Sequence, residues 1–296
     1  MLLKNKAWVS LVTSMVIFGT IGIFRKYIPF PSSLIAFSRG IIGFVFLLFF
    51  LWITRKPFSA KKIGKRILPL CISGAIMGFN WILLFEAYNF TSIATATLCY
   101  YMAPIFVIIV SPFLFGEKLG MKKILCAFGA VAGMIFVSGI TKEGFGSFSE
   151  TKGILLGLGA AVLYASVVVM NKKTPDVPSF EKTVVQLGSS AAVIFPYILL
   201  TEDLFSLELT AKTVLLLLIV GIVHTGIAYV LYFGSIGKLS AQTTAIFSYV
   251  DPVSAIIFSA VFLNEKLSFS ETVGAVLVLG CAILSETEIG TNKKRV

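Results

Sequence analysis

Asp251, Glu86, Arg39 and His224 each stand inside, or at the edge of, an otherwise apolar run of the chain. Moving such groups out of water costs several kcal/mol unless they pair or face a wet cavity, so chemistry is expected where they lie. Asp251 immediately precedes Pro252 near the centre of its run. A carboxylate there is a candidate proton or cation site, and its structural alternative is to satisfy backbone amides freed by the proline. His224, the only histidine, can exchange a proton beside an acid in a wet pocket, or simply pack. Arg39 lies about 10 Å inside its run, at 1.5 Å of rise per residue, and Glu86 lies near the same end of the next. The two are expected either to pair with each other or to hold the carboxylate and the amine of a zwitterion.

Trp81, Tyr100, Tyr101, Tyr229, Tyr232 and Tyr249 fall at a similar depth, together with Asn80, Thr95, Gln242, Thr243 and Ser248. Hydroxyl-bearing rings can pack an organic solute and hydrogen-bond it at once. The expected binding set is therefore Arg39, Asn80, Trp81, Glu86, Tyr101, His224, Tyr229 and Tyr249, with Asp251 and His224 as coupling groups. An aromatic cage for an organic cation is the sharper alternative. Pro104 and Pro252 should kink their helices and are the candidate hinges. The four cysteines, Cys71, Cys99, Cys126 and Cys281, have no metal-ligand spacing and read as small buried hydrophobes.

The elements that position these residues follow from composition. The chain is 57% hydrophobic and 13% charged, with mean hydropathy +0.95, which points to lipid as the solvent. Ten spans are expected, at about 7–24, 32–53, 67–88, 92–115, 120–140, 152–170, 179–200, 211–235, 240–263 and 268–285. The first has no cleavage pattern and reads as a retained helix. The net charge of +11 sits in the short joints rather than on a soluble face, which argues against nucleic acid as a partner. With both termini cytoplasmic, roughly 18 of the 25 basic residues fall inside, among them Lys61 and Lys122, while Lys142 and Lys266 fall outside.

An ungapped shift of the sequence on itself lays Tyr101 on Tyr249, Pro104 on Pro252, Ser111 on Ser259 and Glu117-Lys118-Leu119 on Glu265-Lys266-Leu267. It also pairs Gly78 with Gly226, Phe85 with Phe233 and Ser92 with Ser240. The Pro31-Ser32 and Pro178-Ser179 segments correspond at nearly the same offset. Residues 1–141 form one five-helix repeat, 142–151 a polar connecting loop and 152–296 the second repeat with a short basic tail. A repeat with an odd number of spans inserts inverted, so the fold class is an all-α integral membrane protein of two inverted five-helix repeats. Such halves can present one midplane site to either side in turn. Gly74 and Gly78, Gly129 and Gly133, and Gly153 and Gly157 have the spacing of close helix packing.

The motifs Phe85-Glu86-Ala87-Tyr88, Thr95-Ala96-Thr97, Pro104 and Gly116-Glu117-Lys118-Leu119 recur as Thr243-Thr244-Ala245, Pro252 and Asn264-Glu265-Lys266-Leu267. In these the chain resembles the drug/metabolite transporter superfamily, in its ten-helix EamA type. The resemblance implies a central cavity enclosed mainly by spans one to four and six to nine, with five and ten at the periphery. Two features depart from symmetry or from the family pattern. Glu86 stands where the family more often has an apolar side chain, and Gln186 lies opposite Arg39 in the repeat.

The expected function is a secondary transporter that moves a small organic solute, an amino acid or related metabolite, outward across the cytoplasmic membrane by alternating access. Transport of organic cations or quaternary amines is the alternative. An integral-membrane enzyme fails on its inventory of catalytic groups, and no phosphate-binding loop suggests direct nucleotide coupling. No cofactor or metal is expected. The expected partners are the solute and membrane lipid, with the chain as a monomer or homodimer.

Overall fold

The computed structural model describes residues 2–55, 63–91, 93–138, 148–203, 209–263 and 269–286. Lys61, Lys142 and Lys266 of the expected topology, the motif Asn264 to Leu267 and most of the polar joint at 142–151 lie outside them, as does the side chain of Thr95. Among the described residues the chain is helical throughout. Its elements are α1 (Leu2–Lys26), α2 (Ser32–Ile53), α3 (Ile67–Ala87) and α4 (Ile93–Tyr100 with Ala103–Phe115), followed by α5 (Met121–Ser138) and α6 (Phe148–Lys172). Then come α7 (Ser179–Thr201), α8 (Ala211–Gly221 and Ala228–Ile236, joined by a π turn at Ile222–Ile227), α9 (Ala241–Phe247 with Val250–Leu263) and α10 (Phe269–Glu286). Eight of these spans are long and apolar enough to cross a bilayer. The other two, α5 and α10, are apolar helices of 18 residues each. Only a helix can satisfy its own backbone in hydrocarbon, which is why the apolar runs and the helices coincide.

The helices pack in a pattern that maps onto itself when the halves are exchanged. α3 packs on α6 as α8 packs on α1, α4 on α6 as α9 on α1, and α3 on α7 as α8 on α2. The pairs α2 and α7, α4 and α9, and α5 and α10 meet as counterparts. An inverted repeat requires this arrangement. The short joints make successive spans antiparallel, so Leu2 and Glu286 lie at one end of the bundle, called the terminal end below.

The glycine pairs sit at the crossings. A Cβ on Gly74 would meet the backbone oxygen of Gln186 at 2.5 Å and its Cα at 2.7 Å, and one on Gly78 would meet the oxygen of Ser190 at 3.0 Å. Gly129 and Gly133 lie against Cys281 and Val278 of α10, and Gly153 and Gly157 against Thr91 and Cys99 at α4. Without a side chain, the two backbones approach and dispersion contacts replace the absent hydrophobic drive between helices in lipid.

Both expected kinks occur, a little before their prolines. α4 is interrupted between Tyr100 and Ala103, and α9 between Phe247 and Val250. A proline lacks the N–H that its i−4 carbonyl would accept, so the disturbance falls in the turn that precedes it. The ladder then closes through shorter i→i−3 bonds, Asp251 N to Ser248 O at 3.3 Å and Ile105 N to Met102 O at 3.0 Å.

These crossings predict that Gly74→Val, which forces α3 off α7, lowers stability in detergent by about 1–3 kcal/mol. Gly22→Ala, whose Cβ meets nothing within 4 Å, should leave the melting temperature unchanged in the same thermal-unfolding assay.

Candidate functional site

A cavity of about 490 Å³ lies between the halves, within the size range of small-molecule sites. Its wall comes from α1, α2, α3, α4, α6, α8 and α9; α7 contributes no lining residue, a departure from the expected enclosure. On α1 the lining runs from Met15 to Gly22, and on α3 it reaches Tyr88, the residue capping that helix at the end away from the termini. The space therefore lies between mid-depth and the far end.

Among the described residues two charged side chains line it, Arg39 from α2 and Asp251 from α9. Arg39 donates from Nε to the Thr225 hydroxyl at 3.0 Å, and its guanidinium carbon lies 5.0 Å from the centre of the Trp81 ring. This stacked contact suits a planar, weakly hydrated cation. Asp251 accepts a hydrogen bond from Tyr101 Oη at 3.4 Å. The helix break of α9 lies directly before it, so the carboxylate is carried at the one point of the span where the backbone bends.

Rings form most of the remaining wall. Tyr164 and Tyr232 share a hydroxyl hydrogen bond of 2.7 Å. Tyr100 packs on both Tyr101 and Tyr164, and Phe18 meets Tyr229 edge to face at 5.1 Å. Of the residues expected to bind, Arg39, Trp81, Tyr101 and Tyr229 line the cavity, with Asp251 and Pro104.

The others are occupied elsewhere. Asn80 is buried and donates to the backbone oxygen of Ala160 at 2.6 Å, tying α3 to α6. Tyr249 donates to the backbone oxygen of Tyr101 at 2.9 Å, so each helix break braces the other across the repeat axis. His224 Nε2 lies 2.8 Å from the Thr20 hydroxyl and its ring packs against Phe24. That position joins α8 to α1 and is not part of the cavity wall. Pro252 shapes α9 without lining the space.

Glu86 and Arg39 are not brought together. Glu86 accepts from the Tyr197 hydroxyl of α7 and from Asn89 Nδ2 at 3.4 Å. Of the two alternatives, the ion pair is not formed, because Tyr197 of α7 occupies the Glu86 carboxylate, and Glu86 is not among the residues that line the cavity. Gln186, the repeat counterpart of Arg39, donates to Ser73 at 2.6 Å, as Arg39 donates to Thr225. Both therefore bond a hydroxyl on the neighbouring span, but at different levels, since Thr225 lies opposite Met77 in the repeat and Ser73 opposite Gly221.

Sequence reasoning did not single out Phe18, Tyr88 or Tyr164 as wall residues, and it treated Glu117 only as part of a repeated motif. Glu117 follows Gly116, which ends α4 at φ +64°, and its carboxylate accepts the backbone N–H groups of Ala241 at 2.8 Å and Gln242 at 3.2 Å. It thereby caps α9 from the joint between α4 and α5, where a negative charge at the helix start is favoured. Lys172, at the end of α6, pairs with Glu117 at 3.3 Å and donates to Leu239 O at 2.5 Å. Gln242 also donates to Ser111 at 2.9 Å. The cavity is thus closed off at the terminal end by ties among α4, α6 and α9.

The comparisons with known proteins bear on what such a cavity is for. The model of the EamA-like transporter family matches residues 5–139 and again 151–286. The chain belongs to that family. Uncharacterized transporter YxxF of Bacillus subtilis (strain 168) is 30% identical over 280 residues, covering 93% of this chain and 88% of its own. An uncharacterized transporter of Archaeoglobus fulgidus is 24% identical over 94% of this chain and 96% of its own, and Protein RarD of Salmonella typhi is 24% identical over 90% and 89%. A crystal structure with 20% sequence identity superposes with a TM-score of 0.82 over 95% of this chain and 97% of that one, a likeness of fold. This EamA-family chain is therefore a multi-pass membrane transporter. The double match of the family model agrees with the repeat read from Tyr101 and Tyr249, Pro104 and Pro252.

The contacts of Glu86 predict that a double-mutant cycle of Glu86→Gln and Tyr197→Phe yields a coupling of about 0.5–3 kcal/mol. The cycle of Glu86→Gln with Arg39→Gln, read by thermal unfolding, should give a smaller value.

Proposed function

We propose that this transporter exports a small zwitterionic solute, an amino acid or a related metabolite, across the cytoplasmic membrane by alternating access. The observation that carries the reading is one cavity lined by both Arg39 and Asp251, with Trp81 and tyrosines between them. A guanidinium fits a carboxylate as a planar fork, and a carboxylate attracts an amine. The rings supply apolar contact for the rest of the solute.

Membrane orientation is part of the proposal. Basic joints at the terminal end put both termini in the cytoplasm, so the Glu117 and Lys172 ties form the inner closure and Tyr88 lies towards the outside. The helix breaks of α4 and α9 are the proposed pivots, since α9 carries Asp251 and is held at its terminal end by Glu117. Export would require those ties to part and the outer wall to close.

The organic-cation alternative has the tyrosine wall and Asp251 in its favour. Arg39 weighs against it, because its positive charge faces the same space and its guanidinium already covers Trp81.

Asp251 is also the proposed proton-coupling group, as the carboxylate at the cavity wall beside the break in α9. In proteoliposomes, Asp251→Asn should abolish solute movement driven by an imposed pH gradient while exchange at equal pH continues, because exchange moves no net proton. Arg39→Lys should fold normally and lose at least about tenfold in uptake of carboxylated solutes, since an ammonium cannot reproduce the bidentate fork. Gradient-driven flux at the unmodified rate in Asp251→Asn would reduce that residue to a support for the Pro252 break.

A further inference from the structure

α8 carries an unusual local structure beside Arg39. Between Gly221 and Ala228 the helix widens into a π turn at Ile222–Ile227. Insertions of this kind occur mostly as single turns in functional regions. Its repeat counterpart, α3, runs as an unbroken α-helix from Ile67 to Ala87. The widened turn, though it belongs to the second repeat, lies on the side of the cavity where Arg39 of the first repeat packs.

Its consequence is local. The Thr225 hydroxyl donates to the backbone oxygen of Val220, five residues back, at 3.0 Å, which is the spacing that a π turn opens. With its single proton so placed, the same oxygen accepts from Arg39 Nε at 3.0 Å. The donor and one of the two acceptor positions of the hydroxyl are thus used, in fixed directions. Thr225 is fully buried, so no water competes for the oxygen.

The backbone of Arg39 is fixed just as closely. One helical turn along α2, a Cβ on Gly43 would meet Gly221 O at 3.0 Å and Gly226 N at 3.2 Å, while Gly221 itself lies against Ile42. Residues four apart share a helix face, so this contact sets Arg39 against Thr225. Among the described residues the guanidinium has no hydrogen-bond partner beyond the one at Nε, and Trp81 lies beneath it. Its two Nη groups are thus left for a ligand in the cavity that Arg39 lines.

On the opposite side of the repeat, Gln186 donates to Ser73 of α3, about one turn from the level that corresponds to Thr225, and it is neutral, fully buried and absent from the wall. The π turn and the threonine accompany the charged member only.

We propose that Thr225, presented by the π turn, is a positioning residue that aims the Arg39 fork and so sets the preference of the cavity for a carboxylate. The inference rests on the reading of Arg39 as the anion-binding group. The test uses the purified full chain, with the twenty standard L-amino acids and, for each that binds, the amine lacking its carboxyl group. Ligand binding is read as a thermal shift and transport as flux in proteoliposomes. At least one amino acid should stabilise the unmodified chain more than its amine does, and Arg39→Lys should remove the difference. Thr225→Val should weaken binding of that amino acid by about tenfold, the worth of one hydrogen bond to a charged group. Binding of the amine should be unchanged and the maximal flux little altered. Thr225→Ser should restore affinity to within about twofold, since it keeps the hydroxyl. If Thr225→Val does not fold, Thr225→Ala takes its place with the same expected loss. Carboxylate preference lost in Arg39→Lys but kept in the valine or alanine variant would overturn the role of Thr225 alone. So would a serine variant as impaired as the valine. A chain that no amino acid stabilises, or whose preference survives Arg39→Lys, would overturn the anion-site reading beneath it.

Discussion

In hydrocarbon every polar group must find a partner within the protein, and the architecture follows from how this chain meets that demand. Serines and threonines such as Ser14, Ser111, Ser190 and Ser235 return their hydroxyls to their own helix, whereas several of the larger polar side chains join helices. Asn80 ties α3 to α6, His224 ties α8 to α1, and Gln242 ties α9 to α4. Lys182, though buried, donates to the backbone oxygens of Asn171 and Thr174 and so neutralises the exposed carbonyl end of α6. Arg39 and Asp251 differ from these in lining the central space, each held by one protein hydroxyl with capacity left over. A charge kept at such a site has to meet something that enters the cavity.

The repeat explains both the frame and the exception to it. Crossings that recur when the halves are exchanged give two similar walls around one space, which suits a site open to each side in turn. A strictly symmetric pair of walls would bind a symmetric ligand. Arg39 opposite Gln186, and Asp251 in the second half without an acidic counterpart at Ala103, give the cavity a direction. Tyr101 and Tyr249 show the same divergence, since one bonds the Asp251 carboxylate and the other the backbone of its own counterpart.

The spans, their breaks and the small-residue crossings were legible in the sequence because each follows from a local rule. These were apolar length, the missing N–H of Pro104 and Pro252, and glycine pairs one turn apart. About half of the expected binding set also lines the cavity, since depth along a span can be counted from its ends. Rotation about the helix axis cannot be counted that way. Asn80 and Trp81 are adjacent in sequence, yet one faces α6 and the other the cavity. The partner of Glu86 was not legible for the same reason, as Tyr197 stands on α7, where span counting gives no bearing. The π turn left only a faint trace, a Thr beside a His between Gly221 and Gly226, and Glu117 showed as a repeated motif whose target, the start of α9, lies in the other half.

The central claim is that one cavity faces the two sides of the membrane in turn, with the Glu117 and Lys172 ties as its inner closure. Labelling of Ser248→Cys tests it most directly, in a chain whose four native cysteines are replaced and with an impermeant cationic thiol reagent applied to one side at a time. The account predicts reaction from both sides. With cysteines at 117 and 172 joined by a bifunctional reagent, it predicts reaction only from the side away from the termini. Reaction from the terminal side in the cross-linked protein, or from neither side without the cross-link, would contradict it.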